Sequence, residues 1–320
     1  MKALLRDKYG DPDVLRIGTV EQPKPKDEEV LVRVYATTIN RTDVGHLTGK
    51  PYAIRFFSGL FTPTNKIPGT DFAGQVEAIG KNVTEFKVGD RVWGLNDDGL
   101  KSHAQYMCIG EKKAITHIPE SFSYKEAVAC AEGAHYALNF LNKVKLKAGD
   151  KVMVNGGTGA IGSATIQLLK ARGLYVTAVC ATPHLAAVSA LGADRVIDYL
   201  KEDFTNDHET YVCVCDAVGK SSFGDAKKLM TPNGVYVSSE LGPGAENLYL
   251  PLITKFTSGP RVIFPIPTDC RKSVLYLAEL MATGKFKPLL DRSYSMEDVG
   301  EAYEYVRSGQ KIGNVLLEVE

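Results

Sequence analysis

Apolar and polar positions alternate with a period of two through the first third of the chain. Val30–Tyr35 and Ala73–Ile79 show this alternation, and Lys87–Trp93 contains a Gly-Asp turn that leads into a further strand. Residues 49–68 contain aromatics, glycines and prolines without a clean period, so we expect a long loop there. The pattern predicts an all-β organisation up to about residue 110.

The pattern changes near residue 121, where strands and helices begin to alternate. Predicted strands cover Lys151–Asn155, Tyr175–Val179, Arg195–Ile197, Tyr211–Asp216, Val235–Ser238, Leu289–Tyr294 and Asn314–Val319. Predicted helices follow a serine cap near Ser121, cover Ala160–Arg172, Leu185–Leu191 and Arg271–Thr283, and start again at Ser295 with a capping-box sequence. Such alternation predicts an α/β fold, with a parallel sheet that has helices on its faces.

Composition narrows the class of protein. The 320 residues are long enough for two domains, and 38 basic residues balance 38 acidic residues. Nucleic-acid binders usually have a basic surplus, so we expect no nucleic-acid partner. No apolar run of about 18 residues is present, which predicts that the chain does not span a membrane. The N-terminus has no apolar signal region, and we therefore expect a cytoplasmic protein.

The six cysteines are scattered along the chain, mostly in apolar segments. This distribution favours reduced, buried thiols over a disulfide framework. Cys213 and Cys215 lie two residues apart in a predicted strand, so both should point to one face of the sheet. Core packing and a redox or metal role are the two interpretations of this pair.

The clearest chemical motif is VMVNGGTGAIG at residues 152–162. Glycines at 156, 157, 159 and 162 follow a strand and precede a helix, which is the arrangement that holds a pyrophosphate at a helix N-terminus. The predicted cofactor-binding residues of this turn are Gly156, Gly157, Thr158, Gly159, Ala160, Ile161 and Gly162. The motif predicts a dinucleotide site.

The end of the second strand of this region bears on the choice of dinucleotide. NAD sites usually have an acidic residue there, which accepts a hydrogen bond from the ribose 2′-hydroxyl. Here that position is near Cys180, and no acidic residue lies between Gly162 and Asp194. The sequence therefore favours NADP, with Cys180, Thr182, His184 and Tyr199 as candidate contacts, although no Arg or Lys stands at that strand end.

In this order of motifs the sequence resembles a known family. The β-rich front with KVGDRV, the GGTGAIG turn, ALGADRVIDY, CDAVG and the closing GKFKPLLD and GNVLLEV segments are similar to the medium-chain dehydrogenase/reductase superfamily, in its zinc-free quinone oxidoreductase branch. The resemblance implies a GroES-like β-rich catalytic domain, residues 1–122 and 266–320, with a doubly wound Rossmann domain, residues 123–265, inserted between its parts.

The resemblance also points to where zinc would bind in metal-dependent members. Those members use a Cys near the start of the first helix and a His in a Gly-His-Glu motif. Asn40 and Thr70 stand at these positions here, so we expect no metal. Without a strong Lewis acid, hydride transfer to an already electrophilic acceptor is the easier chemistry.

The remaining site residues are implied by the resemblance. Asn40 could bind a substrate carbonyl or the nicotinamide ribose, or satisfy a turn, and Asp43 could orient Asn40 or cap a helix. Tyr136 replaces a family threonine near the nicotinamide and could reach it with its hydroxyl or fill the cleft wall. Tyr52 could stack on a flat substrate or be a surface residue. The implied cofactor contacts further along the chain are Ala217, Val218, Gly219, Leu241, Gly242, Gly313 and Asn314.

Together these features predict an enzyme that uses NADPH to reduce quinones or α,β-unsaturated carbonyls without zinc. One alternative is a metal-free NAD(P)-dependent alcohol dehydrogenase, but no tyrosine is followed by a lysine four residues later, as a short-chain proton relay would require. The other is a non-catalytic NADPH-binding sensor. We also expect a homodimer, formed through the apolar edge strand Arg261–Phe264.

Overall fold

The structure is a computed structural model that describes residues 1–96 and 99–319. The chain forms two compact units, one of Met1–Glu132 with Asp269–Glu320 and one of Gly133–Thr268. The boundaries predicted from sequence, after residues 122 and 265, fall earlier in the chain at both junctions.

The strands are numbered in chain order. They are β1 Lys2–Leu5, β2 Arg16–Thr19, β3 Glu29–Ile39, β4 Asp71–Ile79, β5 Arg91–Leu95, β6 Tyr106–Gly110, β7 Ile115–His117, β8 Lys151–Asn155, β9 Tyr175–Cys180, β10 Arg195–Asp198, β11 Tyr211–Asp216, β12 Met230–Ser238, β13 Arg261–Ile263, β14 Leu290–Ser295 and β15 Asn314–Glu318. The helices are α1 Arg41–Thr48, α2 Arg55–Ser58, α3 Tyr124–Val128, α4 Glu132–Asn142, α5 Ala160–Ala171, α6 Leu185–Ala190, α7 Phe223–Lys227, α8 Glu246–Thr254, α9 Cys270–Ala282 and α10 Val299–Arg307.

The second unit contains a parallel sheet of six strands, in the order β10-β9-β8-β11-β12-β13. Counted from β8 along the chain, this order is 3-2-1-4-5-6, the doubly wound arrangement of dinucleotide-binding folds. The predicted α/β fold with a Rossmann sheet is thereby confirmed. The strand order reverses between β8 and β11, so the carboxyl ends of these strands form the crevice in which such sheets bind ligands.

The core of this sheet follows from its apolar strands. Met153, Val214 and Tyr236 come from three adjacent strands and are fully buried in one cluster. Parallel strands covered on both faces need nearly continuous apolar sequence, which β8 and β11 have. Cys213 and Cys215 alternate with Val214 and are fully buried on the opposite face of β11 with their Sγ atoms 3.7 Å apart, so the prediction that they share a face is confirmed.

The first unit contains a sheet in which β14, β15, β3, β4, β5 and β7 are successive neighbours and β6 also pairs with β3. All of these pairs are antiparallel except β14 with β15. The β-rich organisation predicted for the front of the chain is confirmed. Its core includes Val32, Phe72 and Tyr303, so α10 from the end of the chain packs with strands from its beginning.

One predicted turn is confirmed and one predicted helix start is wrong, both for local reasons. Residues 87–90 form the predicted turn, closed by a bond from the Lys87 amide to the Asp90 carboxylate, and β5 follows from Arg91. The helix predicted to start at Ser295 begins at Val299, because Ser295 and Asp298 exchange hydrogen bonds in the preceding turn.

Other elements were missed or placed differently. The helix cap expected near Ser121 is Ser123, which accepts a bond from the Glu126 amide. The segment expected to be a long loop contains the short helix α2, and α7 and α8 were not predicted. Within the described residues, no helix is long and apolar enough to cross a membrane.

Candidate functional site

The glycine-rich turn lies at the carboxyl end of β8, in the middle of the parallel sheet. Gly156 has a φ of +84°, and a Cβ there would lie 2.8 Å from the Val218 Cβ. A Cβ on Gly162 would lie 2.1 Å from the Gly156 carbonyl oxygen. Glycine is therefore required at both positions. Gly156 allows the left-handed turn beside Val218, and Gly162 allows α5 to approach the Gly156 carbonyl.

The start of α5 fits a phosphate group. Gly159 is the N-cap and offers no side chain to the first-turn amides, and a Cβ built on it would find no atom closer than 3.7 Å. The unsatisfied amides of a first helical turn bind anions, and the helix dipole adds to their effect. Thr158, Ala160 and Ile161 lie in the same turn. The residues present therefore fit the pyrophosphate of a dinucleotide.

The end of β9 has surroundings that the sequence did not reveal. Cys180 is buried, and the register of β9 against β10 places Asp198 beside it. Thr182 Oγ1 donates to Asp198 Oδ2 at 2.5 Å, and this bond lowers the pKa of Asp198. Lys201 Nζ lies 3.6 Å from the same oxygen. An acidic group does stand at this edge, but on the third strand instead of the second.

The other candidate contacts at this corner lie close by. The Tyr199 amide donates to the Cys180 carbonyl at 3.1 Å, and the Tyr199 side chain is largely exposed. His184 ends the short 3₁₀ turn that begins at Thr182. The structure therefore places Cys180, Thr182, His184 and Tyr199 within one corner of the sheet edge.

The ends of β11 and β12 complete this edge. Ala217, Val218 and Gly219 follow β11, and the Ala217 amide donates to the Asn155 carbonyl at 3.0 Å. Leu241 and Gly242 follow β12, where Gly242 has a φ of +73°. The candidate contacts after β8, β9, β11 and β12 thus lie along one sheet edge. The sequence missed Asp198, because its place depends on a long-range strand register.

Asn40 and Asp43 form a capping box at the start of α1 in the first unit. Asn40 Oδ1 accepts from the Asp43 amide at 2.9 Å, and Asp43 Oδ2 accepts from the Asn40 amide at 3.2 Å. Asn40 Nδ2 donates to Thr70 Oγ1 at 2.9 Å, so the two side chains that stand at the family's zinc-ligand positions bind each other. Both Asn40 and Asp43 are buried.

Buried titratable groups surround this cap. Asp71 accepts bonds from the Thr38 amide and from the hydroxyls of Thr37 and Thr38, while burial raises the pKa of Asp71 to about 6. Burial also raises the pKa of Asp43 well above its usual value, and the neighbouring Asp71 adds to this effect. His103 Nε2 donates to the Thr38 carbonyl at 3.1 Å, and burial lowers the pKa of His103 to about 4.

The donor set of the chain bears on metal binding. Among residues 1–96 and 99–319, no group of three or more His, Cys, Asp and Glu side chains could hold a metal ion. All six cysteines are free thiols. Burial raises the pKa of Cys180 to about 11 and that of Cys213 well above its usual value, and for Cys213 the contact with Cys215 is the larger cause.

The remaining candidates have separate surroundings. Tyr52 is 67% exposed, with the Arg55 guanidinium 5.0 Å from its ring centroid. Tyr136 is half-buried on α4 in the second unit, and its ring contacts His135 edge-on. Glu132 is buried and accepts from Thr42 Oγ1 at 2.9 Å.

Gly313 and Asn314 form the entry to β15 in the first unit. Asn314 uses both its amide and its Nδ2 to bind the Leu289 carbonyl, at 2.9 and 3.0 Å. A Cβ on Gly313 would lie 2.1 Å from the same oxygen. Within the first unit, Gly313 and Asn314 therefore pack closely against Leu289 and join the starts of β14 and β15.

Comparisons with known proteins agree with this geometry. The alcohol dehydrogenase GroES-like domain family matches residues 26–138, and the zinc-binding dehydrogenase family matches residues 191–317. The chain is 30% identical to 2-methylene-furan-3-one reductase of Solanum lycopersicum, over 99% of this chain and 79% of that protein. It is 27% identical to the chloroplastic NADPH-dependent alkenal/one oxidoreductase of Arabidopsis thaliana, over 99% and 79%.

A solved structure has the same fold. The quinone oxidoreductase from Coxiella burnetii superposes with a TM-score of 0.87 at 26% identity, covering 100% of this chain and 99% of that one. The GroES-like domain expected for the front of the chain is thereby confirmed.

Proposed function

Since the chain belongs to the medium-chain dehydrogenase/reductase superfamily, in its quinone oxidoreductase branch, we propose that it reduces quinones or the conjugated double bond of α,β-unsaturated carbonyls with NADPH. It is an NAD(P)-dependent oxidoreductase. The observation that carries the proposal is the sheet edge formed by Gly156–Gly162 and the turns after β9, β11 and β12, because it fits a dinucleotide.

The cofactor supplies a hydride when it is bound at this edge. The first-turn amides of α5 would bind its pyrophosphate, and the turns after β11 and β12 would hold its nicotinamide end. The choice of NADPH is supported by the buried thiol of Cys180 at the end of β9, where an NAD site has a carboxylate. Lys201 adds a positive charge beside Asp198 at that corner, and the Arabidopsis relative is named NADPH-dependent.

The proposed substrate class follows from the donors available to polarise it. With Asn40 and Thr70 at the family's zinc-ligand positions, the chain has hydrogen-bond donors there and no metal ligands. A simple ketone needs strong polarisation, whereas a quinone or enone is already electrophilic and spreads the arriving charge onto its oxygen. One or two hydrogen bonds to that oxygen are then sufficient. The relatives named as furanone and alkenal/one reductases support this class.

Candidate catalytic roles can be given to the residues already described. We propose Asn40, Tyr136 or backbone amides as alternative hydrogen-bond donors to the acceptor oxygen, and Tyr52 as a residue that stacks on a flat substrate. Asp43 is a positioning residue, because its carboxylate binds the Asn40 amide and its own amide binds the Asn40 side chain.

Isotope transfer tests the reaction. The purified protein would be given a small enone and NADPH deuterated at the transferred position. We expect deuterium on the β-carbon of a saturated ketone. Deuterium on a carbinol carbon, with the double bond intact, would instead show an alcohol dehydrogenase. A protein that binds NADPH but neither transfers label to an enone nor oxidises NADPH in the presence of a quinone would be a sensor.

The proposal includes a homodimer. Within the described part of the chain, β13 is an edge strand, since β12 is its sole partner. Next to it, α8 exposes Leu252 by 69%, and Phe256 just beyond is 84% exposed. An apolar helix face beside an unpaired strand edge favours pairing with a second copy. Light scattering should give a dimer for the wild type and for V88E, which alters an exposed apolar residue elsewhere, and a monomer for L252E. A wild-type monomer would contradict the proposal.

We also place the protein in the cytoplasm. Its six cysteines are free, which suits a reducing compartment. Fractionation of the source cells with a tagged chain would test this location, and recovery in an oxidising compartment would contradict it.

A further inference from the structure

A buried carboxylate at the end of β11 binds four donors from three neighbouring segments. Asp216 Oδ1 accepts from the Gly219 amide at 3.0 Å, the Val218 amide at 3.2 Å and Asn155 Nδ2 at 3.2 Å. Its Oδ2 accepts from Tyr236 Oη at 2.9 Å. Asp216 and Tyr236 are fully buried, and Asn155 is nearly so.

These donors belong to the strands on which the candidate cofactor site is built. Asn155 is the last residue of β8, Asp216 is the last residue of β11 and Tyr236 lies on β12. The strands are adjacent in the sheet, with Asp216 in register with Asn155 on one side and Ser238 on the other. The Asp216 carboxylate therefore links β8, β11 and β12 by hydrogen bonds near their carboxyl ends, where the strand order reverses.

The same carboxylate fixes the conformation of the turn after β11. Two of its four bonds go to successive amides of that turn, Val218 and Gly219. Gly219 has a φ of +69°, and a Cβ there would lie 2.4 Å from Glu240 Cγ. On the other side, Val218 packs against Gly156 of the phosphate-binding turn. The turn is thus packed between the segment that follows β12 and the glycine motif.

The four donors are all neutral, and no lysine or arginine contact to Asp216 occurs among the described residues. Burying a carboxylate without a counterion is unfavourable unless hydrogen bonds compensate it. Burial raises the pKa of Asp216, while the bonds from Tyr236 and the two amides act in the opposite direction. An apolar residue would fill this part of the core without the free-energy cost of burying a charge. The presence of Asp216 therefore indicates a role beyond packing.

We infer that Asp216, supported by Tyr236 and Asn155, is a positioning residue that holds the turn Ala217–Gly219 in the conformation that receives the nicotinamide end of the cofactor. This inference rests on the proposed function, because it takes the turn to be a cofactor contact. Because the Asp216 carboxylate is fully buried and both its oxygens accept bonds within the chain, we place it behind the turn, where it acts through Val218 and Gly219. Its effect should therefore fall on the nicotinamide end and spare the adenosine end, which binds near β9 and β10.

The chain offers a matched control on the same strand. Tyr211, the first residue of β11, is as fully buried as Tyr236 and donates its hydroxyl to Asp207, which Arg195 also binds. This second tyrosine–carboxylate pair lies at the amino end of the sheet, away from the candidate site. Each variant loses a hydrogen bond from a tyrosine hydroxyl to a carboxylate, and Y236F also loses the longer contacts of Tyr236 Oη with Ser221 at 3.4 and 3.5 Å. Both Y236F and Y211F should therefore be destabilised.

The experiment compares D216N, Y236F and Y211F with the wild type by the Kd values of NADPH and of adenosine 2′,5′-bisphosphate, which lacks the nicotinamide. We expect D216N to weaken NADPH binding on the order of 30-fold and Y236F about fivefold, while the bisphosphate Kd changes less than twofold. Y211F should leave both Kd values unchanged. Hydrogen exchange of peptides covering residues 217–219 should accelerate in D216N and Y236F but not in Y211F.

The possible outcomes separate this inference from the proposed function. Equal weakening of both ligands, or unchanged NADPH binding in D216N, would overturn the inference even if the wild type reduces enones. A wild type that binds NADPH but reduces no quinone or enone would overturn the proposed reaction, while the split between the two ligands would still support the role of Asp216. Thermal unfolding confirms that each variant is folded before its Kd is measured.

Discussion

The carboxyl edge of the parallel sheet in the second unit and the start of α1 in the first unit each bury a carboxylate at a predicted site. Asp216 in the sheet has a hydrogen-bond donor on both oxygens. Asp43 at α1 has one buried oxygen, Oδ1, without a hydrogen-bond partner in the described structure, and its pKa is raised well above the usual value by burial and by nearby Asp71.

The difference shows two ways in which a sequence motif can relate to a site. The glycine motif acts through the backbone, so its spacing alone specifies a surface on which a phosphate can bind. The Asn40–Asp43 pair acts through side chains, and these are used to cap α1 and to bind Thr70. A motif of side chains therefore needs its contacts before a role can be assigned, and variants in each region can test the contrast.

The largest effect is expected from Gly162→Ala. The added Cβ would lie 2.1 Å from the Gly156 carbonyl oxygen, so α5 must move away from the turn. We expect NADPH binding to weaken on the order of a thousandfold, which corresponds to about 4 kcal/mol. Fluorescence titration measures the Kd. The control is Gly224→Ala, whose Cβ would have its nearest neighbour at 3.5 Å, and an equal loss in that variant would contradict the steric explanation.

The next effect concerns the pH dependence of stability in the first unit. The pKa of His103 is lowered to about 4, so between pH 6.5 and 4 the unfolded chain binds a proton that the folded chain does not. The neutral imidazole therefore stabilises the fold above pH 6.5, and this stability is lost as the pH falls. We expect the stability advantage of the wild type over H103Q to shrink by about 3 kcal/mol across this range.

The stability contribution of Asp71 changes with pH in the opposite direction to that of His103, so Asp71 serves as the control. Its pKa is raised to about 6, so the contribution of Asp71 to stability is greatest below pH 4 and is lost as the pH rises through 6. D71N should remove this trend. Urea unfolding followed by the fluorescence of Trp93, the one tryptophan of the chain and a buried residue of the first unit, measures both. Parallel pH profiles for wild type and H103Q would refute the assignment.

A smaller effect is expected at the corner formed by β9 and β10. The Asp198 carboxylate lies beside Cys180, where a 2′-phosphate would approach. Removing its charge in D198N should increase the preference for NADPH over NADH about tenfold, because repulsion between like charges is relieved. The two Kd values give this ratio. A lower preference for NADPH in D198N would mean that Asp198 does not face the phosphate.

The smallest effect separates capping from catalysis at Asn40. N40A should lower the free energy of unfolding by about 1 kcal/mol, whereas serine is also a good N-cap, so N40S should restore most of it. If Asn40 donates to the acceptor oxygen, N40S should still lower kcat/KM about fivefold. Unchanged kcat/KM in N40S would leave Asn40 with a structural role alone.

The sequence by itself determined the parts of this protein that depend on local geometry. The strand, the glycines at 156 and 162 and the helix that follows lie close along the chain, so the phosphate-binding turn could be predicted from spacing. The alternation of strands and helices likewise specified the parallel sheet. The missed helix α8 and the shifted start of α10 show that element ends depend on turns whose side-chain bonds a pattern does not display.

Only the tertiary structure decided which side chains meet. Asp198 reaches Cys180 through the register of two strands, and Asp216 reaches Tyr236 and Asn155 across two others. These contacts join residues 18 to 61 positions apart. A strand register is set by the packing of the whole sheet, and a one-residue shift would turn each side chain to the opposite face. The physical reason is therefore that the partners of a buried polar group are chosen by long-range packing, which the local pattern of a sequence does not contain.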